Sequence, residues 1–99
     1  MARTGPHRYE LLAPEPKRGL GLLPAPSPGD VFFDIEGYPF FETSRGLEYL
    51  WGVTIDVGGA WRFRSFECVD RDGEKRAFEA FIDFVCDRLK THPDLHVYH

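Results

Sequence analysis

Val31-Phe32-Phe33-Asp34-Ile35-Glu36-Gly37 decides how the chain is read. Six residues rich in β-formers run into a glycine, the pattern of a strand with a turn behind it. The two-residue period of a strand sends Val31, Phe33 and Ile35 to one face and Phe32, Asp34 and Glu36 to the other. The apolar run at its start fits a strand inside a sheet rather than at its border. Two carboxylates therefore project side by side from an otherwise apolar element. Like charges this close disfavour one another's ionised form unless a cation offsets them. Hard divalent cations take oxygen ligands, which makes Asp34 and Glu36 candidate catalytic residues and candidate ligands of Mg²⁺ or Mn²⁺. Pairs of such ions, about 3.5–4 Å apart, stabilise the attacking and leaving oxygens in phosphodiester hydrolysis. The same D-x-E spacing also occurs on solvated sheet faces, and spacing alone leaves both readings open.

Downstream, Gly37-Tyr38-Pro39-Phe40 reads as a turn or loop. A second strand is expected over Glu48–Val57 and a third over Ala60–Phe66. Gly58-Gly59 between them predicts a hairpin, because glycine accepts the positive φ that a tight two-residue turn demands. Asp70 or Asp72 is placed to cap a helix that reaches about Lys90. Its apolar positions Phe78, Phe81, Ile82, Val85 and Leu89 recur at three- and four-residue steps, as one buried stripe requires. Acidic Glu74 and Glu79 lie early and basic Arg88 and Lys90 late, in accord with the helix dipole. Pro93 stops the helix, and Leu95–His99 opens another strand. The expected order is β-β-β-α-β, an α/β fold with a mixed sheet, although the pattern alone permits other α+β layouts.

Upstream, six of the eight prolines fall in residues 1–29. Proline fixes φ and removes a backbone donor, so this segment is expected to be an extended arm or linker. Its leucines and Tyr9 suit it to docking on a partner surface. Residues 30–99 form the globular part.

Composition narrows the function classes. The 99 residues bear a formal net charge of −4, so this is no basic nucleic-acid-binding domain by overall charge. Aromatic residues reach 15% of the chain, which argues for burial rather than disorder. Cys68 and Cys86 make neither a disulfide framework nor a zinc pattern, and free thiols point to a cytoplasmic setting. Nothing approaches the apolar length of a membrane span, and residues 1–7 lack the apolar core of a signal peptide. No Ser-His-Asp set or phosphate-cradling glycine loop is present; Gly19-Leu20-Gly21 lacks the flanking strand and helix of a dinucleotide site. His96 and His99, three apart on a strand, face opposite ways and make poor co-ligands. Arg62 and Arg64 share one strand face, where they suit either phosphate or solvent. Tyr38 and Phe40 are candidates for stacking a terminal base, or for plain loop packing.

Several long stretches carry a family resemblance. Arg18–Pro24, Pro26–Gly37, Gly46–Val53, Glu74–Phe81 and His96–His99 together resemble the bacterial RecB-like nucleases with a YprB-type ribonuclease H-like domain. The similarity extends over nearly the whole chain. It implies a 3′–5′ exonuclease-like domain of the four-carboxylate type, with Asp34 and Glu36 as its first motif and two metal ions in the complete site. Where the family carries an acidic residue after the glycine of that motif, this chain has Tyr38. The remaining two acids and a general base are implied to lie beyond His99. Residues 30–99 would then be the N-terminal part of a truncated ribonuclease H-like mixed sheet, expected to be inactive alone and to need the remainder of its parent polypeptide. DNA or RNA is the implied partner. The alternative is a non-catalytic nucleic-acid-binding or interaction module of a larger nuclease- or helicase-like protein.

Overall fold

The computed structural model describes residues 6–99. Strand β1 (Val31–Tyr38) is followed by β2 (Leu47–Val57), β3 (Ala60–Glu67), helix α1 (Arg71–Thr91) and the two-residue strand β4 (Val97–Tyr98). They form one four-stranded mixed sheet in the order β3-β2-β1-β4. β1 to β3 are antiparallel neighbours, and α1 carries the chain across so that β4 lies parallel to β1. The expected β-β-β-α-β order is therefore present as an α/β arrangement.

Local chemistry explains each join. Gly58 and Gly59 turn the β2–β3 hairpin with φ of 61° and 88°, where a side chain would be strained. Asp56 Oδ1 accepts from Gly59 N at 2.8 Å and closes the turn. Asp70 is the helix cap, its Oδ1 accepting from Gly73 N at 2.7 Å. At the other end His92 N donates to Arg88 O, and Pro93 follows. Glu74 Oε2 accepts from Glu48 N at 2.6 Å, tying the first turn of α1 to the start of β2. That hydrogen bond, with Arg71 beside it, holds the Glu74 carboxyl below its ordinary value.

The core lies between α1 and one face of the sheet. Val31, Trp51, Val53, Ile55 and Phe66 meet Ala77 and Phe81 there, with Phe33, Phe84 and Val85 packed around them. Val31 and Val53 are fully buried. The helical stripe differs from expectation on one flank. Phe81 is buried and Val85 half-buried, but Phe78, Ile82 and Leu89 stay 49%, 40% and 39% exposed. Ala77 and Phe84 take the central positions instead. The sheet covers only part of the apolar arc of α1, centred on Ala77 and Phe81.

A knot of polar contacts joins the entry of β1 to the end of α1. Asp30, 6% exposed, accepts from Ser27 N at 3.0 Å through Oδ2. Its Oδ1 takes the backbone N of His96 and stands beside the His96 Nδ1, both at 2.8 Å. Ser27 Oγ pairs with Asp94 Oδ1 at 3.0 Å. The Arg88 guanidinium donates to the carbonyls of Gly29, Pro28 and Asp56. Residues 6–26 lie outside this knot and are exposed, apart from any regular element save a single 3₁₀ turn, Gly19–Leu22. They account for a Cα radius of gyration of 18.6 Å, against roughly 13 Å for a compact chain of about 100 residues. Among the described residues no helix is long and apolar enough to cross a membrane.

Candidate functional site

Among the described residues no helix covers the second face of the sheet. Strand alternation and register place Phe32, Asp34 and Glu36 of β1 there, opposite Thr54, Gly52 and Leu50 of β2. β3 adds Phe63 opposite Thr54, Ser65 opposite Gly52 and Glu67 opposite Leu50. β4 adds Tyr98 opposite Phe32. An open groove of about 570 Å³ runs over this face, lined among others by Phe32, Asp34, Glu36, Phe63 and Tyr98.

Asp34 and Glu36 are both exposed and lie on the groove side, two strand residues apart, about 6.6 Å of rise. Asp34 Oδ1 accepts from Ile35 N at 2.8 Å. Among the described residues neither carboxylate pairs with a Lys, Arg or His. Immediately after Glu36 the register slips, so that Gly37 pairs with Glu48 and Tyr49 is left over as a bulge. Bulges bend a strand and re-aim its side chains, and they recur beside functional sites. A Cβ on Gly37 would meet the Glu48 carboxylate at 2.5 Å, so a larger residue here would make that flexible side chain swing aside.

The donor chemistry suits a hard divalent cation: two carboxylates on one open face, with no cationic side chain among the described residues paired to them. The count is short of a two-metal centre, because no group of three His, Cys, Asp or Glu residues converges among the described residues. Asp34 and Glu36 would supply two oxygen ligands, and a Mg²⁺-like ion with so few protein ligands fills its shell with water and phosphate oxygens. Such an ion supplies charge neutralisation for a phosphate and an acidified water.

The other candidates, His99 excepted, fall elsewhere. Tyr38 and Phe40 lie beyond the bulge, 51% and 78% exposed. Their rings meet edge to face at 6.1 Å, and neither lines the groove. Arg62 and Arg64 pair with Ile55 and Val53, which puts them on the helix side; the Arg64 guanidinium stands 4.8 Å and 5.2 Å from the rings of Phe66 and Phe84. His96 is occupied with Asp30, while His99 also lines the groove, its ring 5.4 Å from that of Phe33. Cys68 and Cys86 are free thiols. The Cys68 Sγ contacts Glu48 O at 3.1 Å, and burial foremost pushes its thiol pKa up, away from the thiolate that reactive cysteines require.

Sequence reasoning missed the aromatic character of the open face. Phe63 and Trp61 of β3 lie there with Phe32 and Tyr98. The signal was available: a two-residue Gly-Gly hairpin fixes the register and so puts Phe63 opposite Thr54. Comparison with known protein families, curated proteins and solved structures gave no match to this chain.

Proposed function

We propose that this chain carries the first metal-binding carboxylates of a ribonuclease H-like nuclease that hydrolyses phosphodiester bonds in DNA or RNA. The observation that carries the reading is the position of Asp34 and Glu36. They occupy the uncovered face near the C-terminal end of an interior strand, next to a bulge. Strand C-termini in open α/β sheets are where ligands bind. Three antiparallel strands, a helical crossover and a strand parallel to β1 also fit the opening of a ribonuclease H-like sheet. The YprB-type resemblance supplies the same assignment from the sequence side.

The charge of the open face favours this reading over a metal-free binding module. Asp34, Glu36, Asp56 and Glu67 fall on that face by register, and no Lys or Arg does among the described residues. Affinity for a phosphate backbone rests on cationic contacts. A nucleic acid would meet net repulsion on this face unless a divalent cation bridged phosphate to carboxylate.

The test is Mn²⁺- or Mg²⁺-dependent cleavage of labelled single-stranded DNA and RNA by the full-length natural protein. Asp34→Asn combined with Glu36→Gln is expected to lower the rate by at least about a hundred-fold, the scale of losing metal-held electrostatic stabilisation. Cleavage that persists in the double variant, or a folded wild-type protein with no metal-dependent cleavage, refutes the assignment.

A further inference from the structure

Residues 6–26 form an arm in which every residue is exposed. The arm is nevertheless locally built. Arg18 N donates to Glu15 O, Gly21 N to Arg18 O and Leu23 N to Leu20 O, at 3.3, 2.9 and 3.2 Å. The Arg18 guanidinium pairs with the Glu15 carboxylate at 3.1 Å. Gly21 lies so close to the Glu15 carbonyl that a Cβ would have no room. This turn holds up Leu20, Leu22 and Leu23, which stay 76%, 68% and 57% exposed. Three-residue hydrogen bonding brings side chains at i and i+3 to one side, so Leu20 and Leu23 form a two-leucine knuckle. Apolar side chains gathered in a fixed shape and turned to water mark a contact surface.

The body of the same chain carries an unfilled counterpart. Phe78, Ile82 and Leu89 follow one another on α1 at steps of four and seven residues, on one side of the helix, about 16.5 Å from end to end. All three stay open to water. Arm and body are also opposite in charge. Residues 1–29 hold four Lys and Arg against two Asp and Glu, whereas residues 30–99 hold eight against fourteen. The base of the arm lies at one end of the helical flank. Arg88, the neighbour of Leu89, donates to Gly29 O and Pro28 O, and Ser27 Oγ donates to Asp94 Oδ1 just past the helix.

We propose that two copies of the chain exchange arms, the Leu20–Leu23 turn of each lying on the Phe78-Ile82-Leu89 flank of the other. The occupant is a second copy for two reasons. The first is charge: a basic arm meets an acidic body, and complementary charge fixes which surfaces come together. The second is the stiffness of the exit. Pro24, Pro26 and Pro28 alternate with Ala25 and Ser27, and Leu23 before them has φ −67° and ψ 137°, polyproline geometry. Proline-rich segments act as semi-rigid spacers, and the buried contacts of Ser27 and Asp30 fix the base. The knuckle is thereby held off its own flank while remaining free to reach a neighbour's. Under two-fold symmetry each arm finds the same flank on the other copy, and the exchange closes without leaving either surface free. The proposal does not depend on the nuclease reading.

Sedimentation velocity of the full-length natural protein tests the exchange. The wild type is expected to be a dimer. An arm variant, Leu20→Ser with Leu23→Ser, and a flank variant, Ile82→Ser, should each raise the dimer dissociation constant at least about a hundred-fold, because each loses apolar contact in both halves of the interface. The substituted side chains are exposed within one chain, so both variants should keep the wild-type circular dichroism; the arm variant, which touches no core residue, carries the test by itself if the flank variant does not fold. The decisive sample is a mixture of the two variants. Neither alone has an intact arm–flank pair, whereas a mixed dimer has one. It should dissociate about ten-fold less readily than either variant alone, since the two defects then fall on the same contact. Variants that are weakened but gain nothing on mixing would mean that each arm lies on its own flank, and the exchange is overturned. A dimer of wild-type strength in the arm variant belongs to another surface and overturns it as well, as does a monomeric wild type.

Discussion

The two faces of the sheet use the same residue types for opposite ends. Under α1, Trp51, Phe66 and Phe81 are buried at 4%, 7% and 6% exposure. On the open side, Trp61, Phe63 and Phe32 stay between 42% and 68% exposed. Burial of aromatic area drives folding, so the helix face accounts for the stability of this unit. Rings on the other face contribute little of that kind. The acids follow the same division. Asp30 is buried and fully engaged, whereas Asp34 and Glu36 are exposed and have no cationic partner among the described residues. A carboxylate that stabilises the fold is saturated with donors; one that is available to a ligand is not.

The largest expected effect tests the division directly. Phe81→Ala removes a ring packed against Phe33 at 4.9 Å and Phe66 at 6.2 Å, and should cost about 3–5 kcal/mol. Phe63→Ala, on the open face, should change stability by no more than about 0.5 kcal/mol. Urea midpoints of the two variants make the comparison. Equal losses would mean that both faces are structural, and the division would collapse.

Asp30→Asn comes next. It removes the charge from hydrogen bonds to Ser27 N, His96 N and the His96 ring, and should cost about 1.5–3 kcal/mol. Burial alone would raise the Asp30 pKa, but the hydrogen bonds from Ser27 and His96, together with the charge of His96, outweigh it and leave the carboxyl below its ordinary 3.8. A depressed folded-state pKa stabilises the protein above the unfolded value, and that contribution is lost as pH falls through the folded value. Wild-type stability should therefore drop more steeply below about pH 4 than that of Asp30→Asn. Thermal melts from pH 2.5 to 6 would show it; parallel profiles would remove Asp30 from the structural set.

Much of this division was legible in the sequence, and the exceptions share a cause. Strand alternation at Val31–Glu36, the Gly58-Gly59 turn, the Asp70 cap and the Pro93 stop are local signals, and each resolves within a few residues. The flank of α1 left exposed at Phe78, Ile82 and Leu89 was not legible. Periodicity reports the width of an apolar arc and says nothing about which part of it a sheet will cover. The tie between Asp30 and His96 spans 66 residues and exists only once α1 has returned the chain to β1. For the site, the pairing of Asp34 with Glu36 on one face followed from their spacing. The setting around them did not, because it is assembled from β3 and β4 by register.

The smallest expected effect is the sharpest on the open face. In metal-free buffer, Asp34→Asn with Glu36→Gln should leave stability within about 0.5 kcal/mol of wild type. Both side chains are exposed and, among the described residues, make no hydrogen bond beyond the local Asp34 contact to Ile35 N. Any gain would come from relieving like-charge repulsion. With Mn²⁺ at ten times its Kd, mass action should stabilise the wild type by about 1.4 kcal/mol, through a ligand that binds only the folded state. The double variant should show none of this. That result requires a site built on this pair, since a cation bound diffusely to the surface would stabilise the two proteins alike. A melting shift confined to the wild type would thus place the metal at the Asp34–Glu36 pair without recourse to any nuclease substrate. Equal shifts would return them to the solvated face that D-x-E spacing alone allows.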